Sequence, residues 1–525
     1  MAQPIRLVPQ TARSIEFACP LCGSVHAAYV FGTKDLRIYR CAGCGLTFND
    51  VRGNGGASDI VATPNPDRDP DRDERQHASL LEALKSEAIS GEVMLVADPD
   101  DELAALVARH GIAVGRTVTH DEFGAGDWSE TFGAVIVSRA LMRVPNPRAA
   151  LAKIRRHLGV GARAFLSLPF LDGHQATLMG RNWHQWQASN RWYFTRETVN
   201  LLLLAAGFEH IWFEPERRRY SLDLLVERAR QSSEAPSWLA GLEAVRRLSP
   251  RRLRSHEFRL PSGTAVVTAT AAPPRAQTVV SIIVPVFNER VTVGEMMHGL
   301  LAKQLPGMRK EIIIVESNST DGSRELVRGY EGHPDVRLLL QPAPRGKGYA
   351  VREGLRAASG DIVMIQDADL EYDFDDYDGL LAPLDHWQSM FVLGSRHHGD
   401  WKMRRFTDDP VAALIMNFGH SFFRSLINIA LRTSIADPFT MFKVFRRDAL
   451  HGLDFVCNRF DFDIELVMKL VRKGYVPLEL PVNYASRSFA EGKKVSVTRD
   501  GLTWIWTILK TRFSPIGRGA RNGGR

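Results

Sequence analysis

Asp367, Asp369 and Glu371 are spaced two residues apart at the end of the apolar run in GDIVMIQDADLE. A strand here would deliver the acids to its C-terminal end. Alternation would place Asp367 and Asp369 on one side, with Glu371 following if the strand pattern persists. Carboxylates gathered on one edge repel unless a hard cation joins them, and Mg2+ or Mn2+ would hold them together with a diphosphate. A lone DxD is a weak signal, and a solvated acidic loop is the alternative. A second constellation is stronger. Cys19-Pro-Leu-Cys22-Gly and Cys41-Ala-Gly-Cys44-Gly each put two thiolates on one tight turn. Together they supply four soft ligands for a tetrahedral zinc. Four thiolates leave no open position, so this metal is expected to hold the fold and not to do chemistry.

The acids are accompanied by other strand-end groups. Pro285-Val-Phe-Asn288-Glu289 ends one apolar run, and Glu316-Ser-Asn-Ser-Thr320-Asp321-Gly-Ser ends the next. Glu316 sits where a base or ribose can donate to it. Arg345-Gly-Lys347-Gly opens a helix, with glycines that permit close backbone approach and cations that offset phosphate charge. Open α/β sheets bind ligands at the carboxyl ends of their strands, so these loops describe a nucleotide-diphosphate pocket with a metal clamp. Farther on, Arg396 can meet a phosphate. Asp463 and Glu465 open an amphipathic helix, where acids also simply favour the first turn. Arg487, Lys493 and Lys494 can hold an acceptor phosphate together with the diphosphate, with a surface charge run as the alternative.

These groups need a frame. The chain has 525 residues, 44% hydrophobic and 24% charged, a globular balance too long for one compact domain. A net charge of +7 allows contact with phosphate or an anionic surface without demanding nucleic acid, and the ribbon lacks a flanking basic stripe. Five cysteines, four of them in two pairs, are not a disulfide framework, which points to a reducing cytoplasm. The N-terminus lacks a secretory apolar core, and no run reaches the length of a spanning helix. We expect an α/β protein with a zinc ribbon over 15–50 and a polar linker over 51–77. A Rossmann-like domain follows over 78–270, then a linker over 271–278, an αβ domain over 279–513 and a basic tail over 514–525. In both large domains apolar strands alternate with helices, the pattern of a parallel sheet. EFRLPSGTAVVTATA is expected to give a closing pair of strands.

SIIVPVFNE, VESNSTDGS, RGKGYAVREGLRAASGD and QDADLEYD resemble an inverting family-2 glycosyltransferase with a GT-A fold. The segment is most similar to dolichyl- or polyprenyl-phosphate sugar transferases, over about 279–513. The resemblance implies that Asp367, Asp369 and Glu371 bind the divalent cation, and that Pro285, Asn288, Glu289 and Glu316 line the nucleotide. It places Arg396 near the donor and acceptor phosphates, and matches Asp463 and Glu465 to the family's acidic pair. Ala436-Asp437-Pro-Phe-Thr-Met-Phe-Lys443 matches its acceptor-side segment, without the family's cysteine. The usual acidic pair after the second strand is here Glu316-Ser317, with Asn318 in place of glycine. GDP and UDP both stay open. The implied reaction takes a sugar from a nucleotide-diphosphate donor to a lipid phosphate at the inner face of the cell membrane. A soluble hydroxyl acceptor, a bifunctional enzyme and a non-catalytic sugar-nucleotide-binding subunit are the alternatives. Residues 411–431 and 501–513, the latter with Trp504 and Trp506 beside Lys510 and Arg512, suit interfacial helices or plain core helices.

The middle segment resembles a class I S-adenosylmethionine-dependent methyltransferase, through FGAVIVSRALMRVPNPRAALAKIRRHLG, GRNWHQW and RWYFTRETVNLLLLAAGF. Its first strand should end in a glycine-rich turn, yet the chain reads Leu95-Val-Ala-Asp98-Pro99-Asp100-Asp101. Proline fixes φ and removes an N–H where the cofactor must approach. Leu141-Met142-Arg143 replaces the family's later Glu-His element. We therefore expect a degenerate domain that does not bind S-adenosylmethionine and offers a surface to a protein partner. Trp183, His184, Trp186, Trp192 and Tyr193 are candidates for a recognition surface, or for packing against the sheet.

Overall fold

The computed structural model describes residues 17–33, 36–50, 70–87, 89–97, 103–125, 128–230, 239–256, 258–396, 410–485 and 497–517. They divide into two compact units, Met1–Pro274 and Arg275–Arg525. No helix among the described residues is long and apolar enough to cross a membrane.

The first unit opens with strands β1 (Ala27–Gly32), β2 (Arg37–Cys41) and β3 (Thr47–Asn49). Helix α1 (Pro70–Lys85) follows. It starts well before residue 78, because Pro70 can occupy a first helical turn whose N–H groups need no intrahelical partner. The Rossmann-like elements are β4 (Val93–Val96), α2 (Leu103–Arg109), β5 (Val114–Val118), α3 (His120–Ala125), β6 (Phe132–Ser138), α4 (Pro147–Arg156), β7 (Leu158–Pro169) and α5 (His174–Met179). Next come β8 (Trp192–Tyr193), α6 (Arg196–Ala205), β9 (Phe208–Tyr220), α7 (Leu222–Arg230), α8 (Leu239–Leu248), α9 (Arg251–Arg254) and β10 (Phe258–Ala271).

Six strands form one sheet in the order β5-β4-β6-β7-β10-β9. β5, β4, β6 and β7 run parallel, and β10 and β9 close the sheet antiparallel. The expected closing pair within 257–271 is instead one long strand, β10, whose partner is β9. An irregular register between Pro261 and Ala265 lets it continue past a proline that offers no N–H. The β4 face packs against α1 and α2 through Leu80, Leu84, Val93, Leu95, Leu106 and Ile136.

The ribbon's sheet has four strands, β1-β2-β3-β8, all antiparallel. Its last strand comes from the methyltransferase-like region, with Thr47 opposite Tyr193 and Phe48 opposite Trp192. Arg148 adds a hydrogen bond to the Leu21 carbonyl, 3.1 Å.

The second unit contains β11 (Thr278–Val286), α10 (Val293–Ala302), β12 (Met308–Glu316), α11 (Ser323–Arg328), β13 (Val336–Leu340), α12 (Lys347–Ala357), β14 (Ile362–Ile365), α13 (Asp376–Asp385) and β15 (Phe391–Ser395). It continues with α14 (Pro410–Leu431), β16 (Lys443–Arg446), α15 (Asp461–Lys473), β17 (Leu478–Pro481) and α16 (Val497–Phe513). The sheet order is β13-β12-β11-β14-β16-β15-β17. β13, β12, β11 and β14 are parallel, and β16 is antiparallel to both its neighbours. Strand order reverses between β11 and β14, so a crevice opens at their carboxyl ends. Ile282, Ile283, Val284, Ile312 to Val315 and Ile362 to Ile365 are buried, as strands covered on both faces require.

Candidate functional site

The ribbon's four-cysteine cluster is built from two equivalent knuckles. Gly23 N–H donates to the Cys19 carbonyl at 2.9 Å, and Gly45 N–H to the Cys41 carbonyl at 3.0 Å. Both glycines sit near φ +75°, the left-handed region a side chain would resist. The four sulfur atoms lie within 4.8 Å of one another. Cys19 Sγ is 3.5 Å from Cys44 Sγ, and Cys22 Sγ is 3.6 Å from Cys41 Sγ. Those separations are too long for disulfides and close to the ~3.8 Å edge of a tetrahedron with 2.3 Å Zn–S bonds. The quartet fits a structural zinc.

The methyltransferase-like aromatics face that ribbon. Phe31 meets Trp186 edge-on at 5.0 Å, Phe48 meets Trp192 at 5.9 Å, and Trp186 packs on Tyr193 at 4.5 Å. Packing explains Trp186, Trp192 and Tyr193 without a ligand. The turn Asp98 to Asp101, on which the S-adenosylmethionine expectation rests, lies outside the described residues.

In the second unit the loops after β11 and β12 are laced together. Asn288 N–H donates to Ser319 Oγ at 2.9 Å, and Asn288 Oδ1 accepts from Thr320 N–H at 3.0 Å. Glu289 N–H reaches Ser323 Oγ at 2.8 Å, and Arg290 N–H reaches Asp321 Oδ2 at 3.0 Å. Asn288 and Asn318 both adopt positive φ, +51° and +58°. Asparagine tolerates that region, so Asn318 holds the turn the family builds with glycine. Glu316 was expected to meet a base or ribose. Instead it is fully buried and serves its own loop, accepting Ser319 N–H at 2.6 Å with Arg324 Nη1 at 3.1 Å. Pro285 lies in β11 beside Val315.

Lys347 begins α12. A Cβ on Gly346 would lie 2.4 Å from the Asn458 carbonyl, and one on Gly348 would lie 2.5 Å from Phe462 Cβ. The flanking glycines thus let the start of α12 press against the segment that leads into α15. Lys347 Nζ reaches Asp367 Oδ2 at 2.6 Å. Burial opposes charge on Lys347, but Asp367, Asp463 and Asp369 outweigh it and hold its pKa above the usual lysine value.

The three acids do not line up as strand alternation predicted. β14 ends at Ile365, and Leu370 turns at φ +58°, so the pleat is lost before Asp367. Glu371 is drawn aside by Tyr484, whose hydroxyl donates to Oε2 at 2.8 Å, while Glu371 N–H donates to Asp369 Oδ1 at 3.3 Å. Among the described residues the cysteines are the one group of three or more metal-type side chains gathered within 4.8 Å. The acids are hard oxygen donors nonetheless. Mg2+ commonly takes one or two protein carboxylates and completes its shell with phosphate and water, so Asp367 and Asp369 fit that use.

Arg396 is committed to Asp437. Its Nε and Nη2 meet the two carboxylate oxygens at 2.7 and 2.9 Å, and its guanidinium lies 5.1 Å from the Tyr484 ring centre. Burial works against both charges, yet each holds the other ionised: Asp437 well below the usual carboxylate range, Arg396 well above the usual arginine value. His420 Nε2 lies 3.3 Å from Asp437 Oδ1, and the Ala436 and Asp437 N–H groups donate to Glu479. Asp463 takes a fully buried lysine, Lys443, at 3.0 Å. Glu465 is not its companion. It faces away from Asp463, accepting N–H from Val456 and Cys457 and pairing with Lys469 at 2.6 Å. A helix turns residues two apart by about 200°. Arg487, Lys493 and Lys494 lie outside the described residues. His420, Glu479 and Tyr484 are not among the site residues expected from the sequence, and Asp437 and Lys443 enter there only as part of the matched acceptor-side segment, with no role of their own. A signal existed for two of them: Asp437 and Lys443 are charges inside the apolar run ADPFTMFKVF, which requires buried partners.

Residues 281–453 match the family model of glycosyl transferase family 2, and residues 69–211 match a methyltransferase domain. The chain is 31% identical over 223 residues to a dolichol-phosphate mannosyltransferase of Mycosarcoma maydis, an alignment covering 41% of this chain and 72% of that protein. It is 30% identical over 219 residues to a dolichyl-phosphate beta-glucosyltransferase of Trichomonas vaginalis, covering 39% of this chain and 63% of that protein, slightly under two thirds. Among solved structures, a glucosyl-3-phosphoglycerate synthase of Mycobacterium tuberculosis aligns with 21% identity over 45% of this chain and 80% of that one, at a TM-score of 0.34. Motif order, strand reversal and kinship converge, and in its C-terminal unit the chain is an enzyme of glycosyltransferase family 2, carried behind a methyltransferase-type domain and a four-cysteine ribbon.

Proposed function

We propose that the enzyme moves a sugar from a nucleotide-diphosphate donor to a polyprenyl-phosphate-like acceptor held at a membrane surface, with Mg2+ or Mn2+ at Asp367 and Asp369. The observation that carries the acceptor assignment is the outer face of α14 and α16. The inner faces pack into a small core with α15, where Ile427, Ile464, Met468 and Ile508 are buried and Phe423 and Trp504 lean in. Among the described residues the opposite faces carry exposed apolar side chains. Phe418, Phe422 and Ile429 on α14, and Leu502, Trp506, Leu509 and Phe513 on α16, are exposed, with Phe418, Ile429, Leu502 and Phe513 above 70%. On α16 they recur at i, i+4, i+7 and i+11, one stripe of a helix, ending beside Lys510 and Arg512. Monomeric proteins rarely show such a face to water, and an apolar stripe beside cations suits an anionic lipid surface. The curated relatives named above carry dolichol phosphate in their names, in keeping with this acceptor class.

The divalent cation would stabilise the charge that develops on the departing diphosphate. The laced loops after β11 and β12 shape the nucleotide side of the crevice. Lys347, fixed at the start of α12, offers a cation beside Asp367 for the phosphate oxygens. An acceptor monophosphate arrives ionised, so its attack on the anomeric carbon needs no proton removed by the protein. Asp463, already paired with Lys443, is then a positioning anion and not a base. Direct displacement inverts the anomeric configuration.

A screen of GDP- and UDP-sugars against short-chain polyprenyl phosphates and soluble glycans, with and without Mn2+, tests this. Metal-dependent transfer to the lipid phosphate is expected. Transfer confined to soluble hydroxyl acceptors, with no binding to vesicles at low salt, would defeat it.

A further inference from the structure

Helices α14 and α16 do more than present an apolar face. Their inner sides grip the loop that carries Asp437. On α14, His420 is buried between the outward-facing Phe418 and Phe422 in sequence, and its Nε2 lies 3.3 Å from Asp437 Oδ1. Asp437 is held ionised by Arg396, and a carboxylate can only accept, so the histidine donates from Nε2. The His420 ring also meets Phe439 edge-on at 5.2 Å, and Phe439 stacks on Trp504 of α16 at 5.1 Å and 18°. Both lipid-facing helices therefore touch the Asp437–Phe439 loop from behind. The contacts continue inward: Asp437 grips Arg396, Arg396 lies over Tyr484, and the Tyr484 hydroxyl holds Glu371.

We propose that His420 is a positioning residue that couples the seating of α14 on a lipid surface to the placement of Arg396 for the acceptor phosphate. This rests on the membrane-held phosphate acceptor proposed above. Seating buries Phe418, Phe422 and Ile429 and fixes the rotation of α14. That rotation sets His420, which sets the carboxylate plane of Asp437, which sets the guanidinium plane of Arg396. A bidentate pair transmits orientation as well as charge, because both groups are planar.

The test uses the full chain with Mn2+, a nucleotide sugar and a short-chain polyprenyl phosphate, with and without mixed phosphatidylcholine–phosphatidylglycerol vesicles. Three proteins are compared: wild type, His420→Ala and His420→Gln, the last keeping an N–H donor near the Nε2 position. In wild type, vesicles are expected to lower the acceptor KM. His420→Ala is expected to sediment with vesicles as wild type does and to keep its donor KM. Its acceptor KM rises by about tenfold, the loss of one hydrogen bond to a charge, and the vesicle effect disappears. His420→Gln recovers most of both. An unchanged acceptor KM in His420→Ala overturns the proposal. So does a parallel drift of donor and acceptor KM with a lowered melting temperature, which is plain structural damage. A wild-type enzyme that transfers to no polyprenyl phosphate at all sinks the acceptor assignment itself, and is told apart by its lack of activity before any variant is compared.

Discussion

Lys443 and Asp463 form an ion pair in which the lysine is completely buried and the carboxylate nearly so, 3.0 Å apart. Burial lowers the lysine's pKa, and Asp463 resists that fall. Removing one partner leaves a charge without compensation. Lys443→Met is expected to destabilise the C-terminal unit by about 3–5 kcal/mol, and the Lys443→Met/Asp463→Asn double variant by clearly less than the sum of the two single changes. Urea unfolding of the four proteins of the cycle measures it. Additive losses would mean the pair is not coupled.

The Arg396–Asp437 pair gives a pH dependence of definite sign. The folded pKa of Asp437 lies below its unfolded value, so the stability it contributes is fully present above the unfolded aspartate value of about 3.9 and is lost as pH falls toward the folded value. Asp437→Asn is expected to lower the melting temperature at pH 7 and to differ less and less from wild type below about pH 4. A gap that stays constant across that window would refute the assignment.

Asp369 is the cleanest test of the divalent site, since its neighbour Asp367 also serves Lys347. Asp369→Asn is expected to keep its fold and to lose about 100-fold or more of Mn2+-dependent transfer, because metal stabilisation of the leaving group is worth several kcal/mol. Activity titrated against Mn2+, beside a circular dichroism melt, separates loss of the ion from loss of fold.

The exposed apolar stripe of α16 can be broken without touching the core. Leu502→Glu and Trp506→Glu change exposed positions, so their melting temperatures should match wild type. Their sedimentation with anionic vesicles should fall by about tenfold or more each, from the lost burial of a large apolar side chain and the added negative charge. Retained vesicle binding would place the membrane contact elsewhere.

Purified protein is expected to contain one zinc per chain. Cys44→Ser, or a chelator that strips the ion, should loosen the ribbon and with it the contacts of Trp186 and Trp192. Metal analysis and tryptophan emission report the two halves of that statement. An ion-free chain with unchanged emission would contradict it.

What was legible in the sequence follows from how each feature is encoded. Parallel strands buried on both faces are written as continuous apolar runs, so TVVSIIVPV and EIIIVE could be read directly, as could cysteine knuckles closed by glycine. The separate partners of Asp463 and Glu465, Lys443 for one and Lys469 with the Val456 and Cys457 N–H groups for the other, could not be read from their spacing, because the turn of a helix sends residues two apart to different sides. The alternation expected of the three acids does not hold because the strand stops at Ile365, and nothing in QDADLE announces a left-handed Leu370. The Arg396–Asp437 pair joins residues 41 positions apart. A two-residue strand such as Trp192–Tyr193 carries no periodicity at all.

That short strand has a consequence for the order in which the chain acquires structure. Thr47 of β3 is paired with Tyr193, 146 residues later (193 − 47), so the ribbon's edge stays unpaired while the intervening chain is made. At ordinary synthesis rates of about 5–20 residues per second, that interval is roughly 7–30 s. Throughout it, β3 presents bare N–H and carbonyl groups of the kind that recruit stray strands. Early zinc capture by Cys19, Cys22, Cys41 and Cys44 would hold the nascent ribbon in shape until its last strand emerges. Zinc-starved expression should therefore raise the fraction of chain lost to aggregates more than it lowers the stability of the molecules that mature.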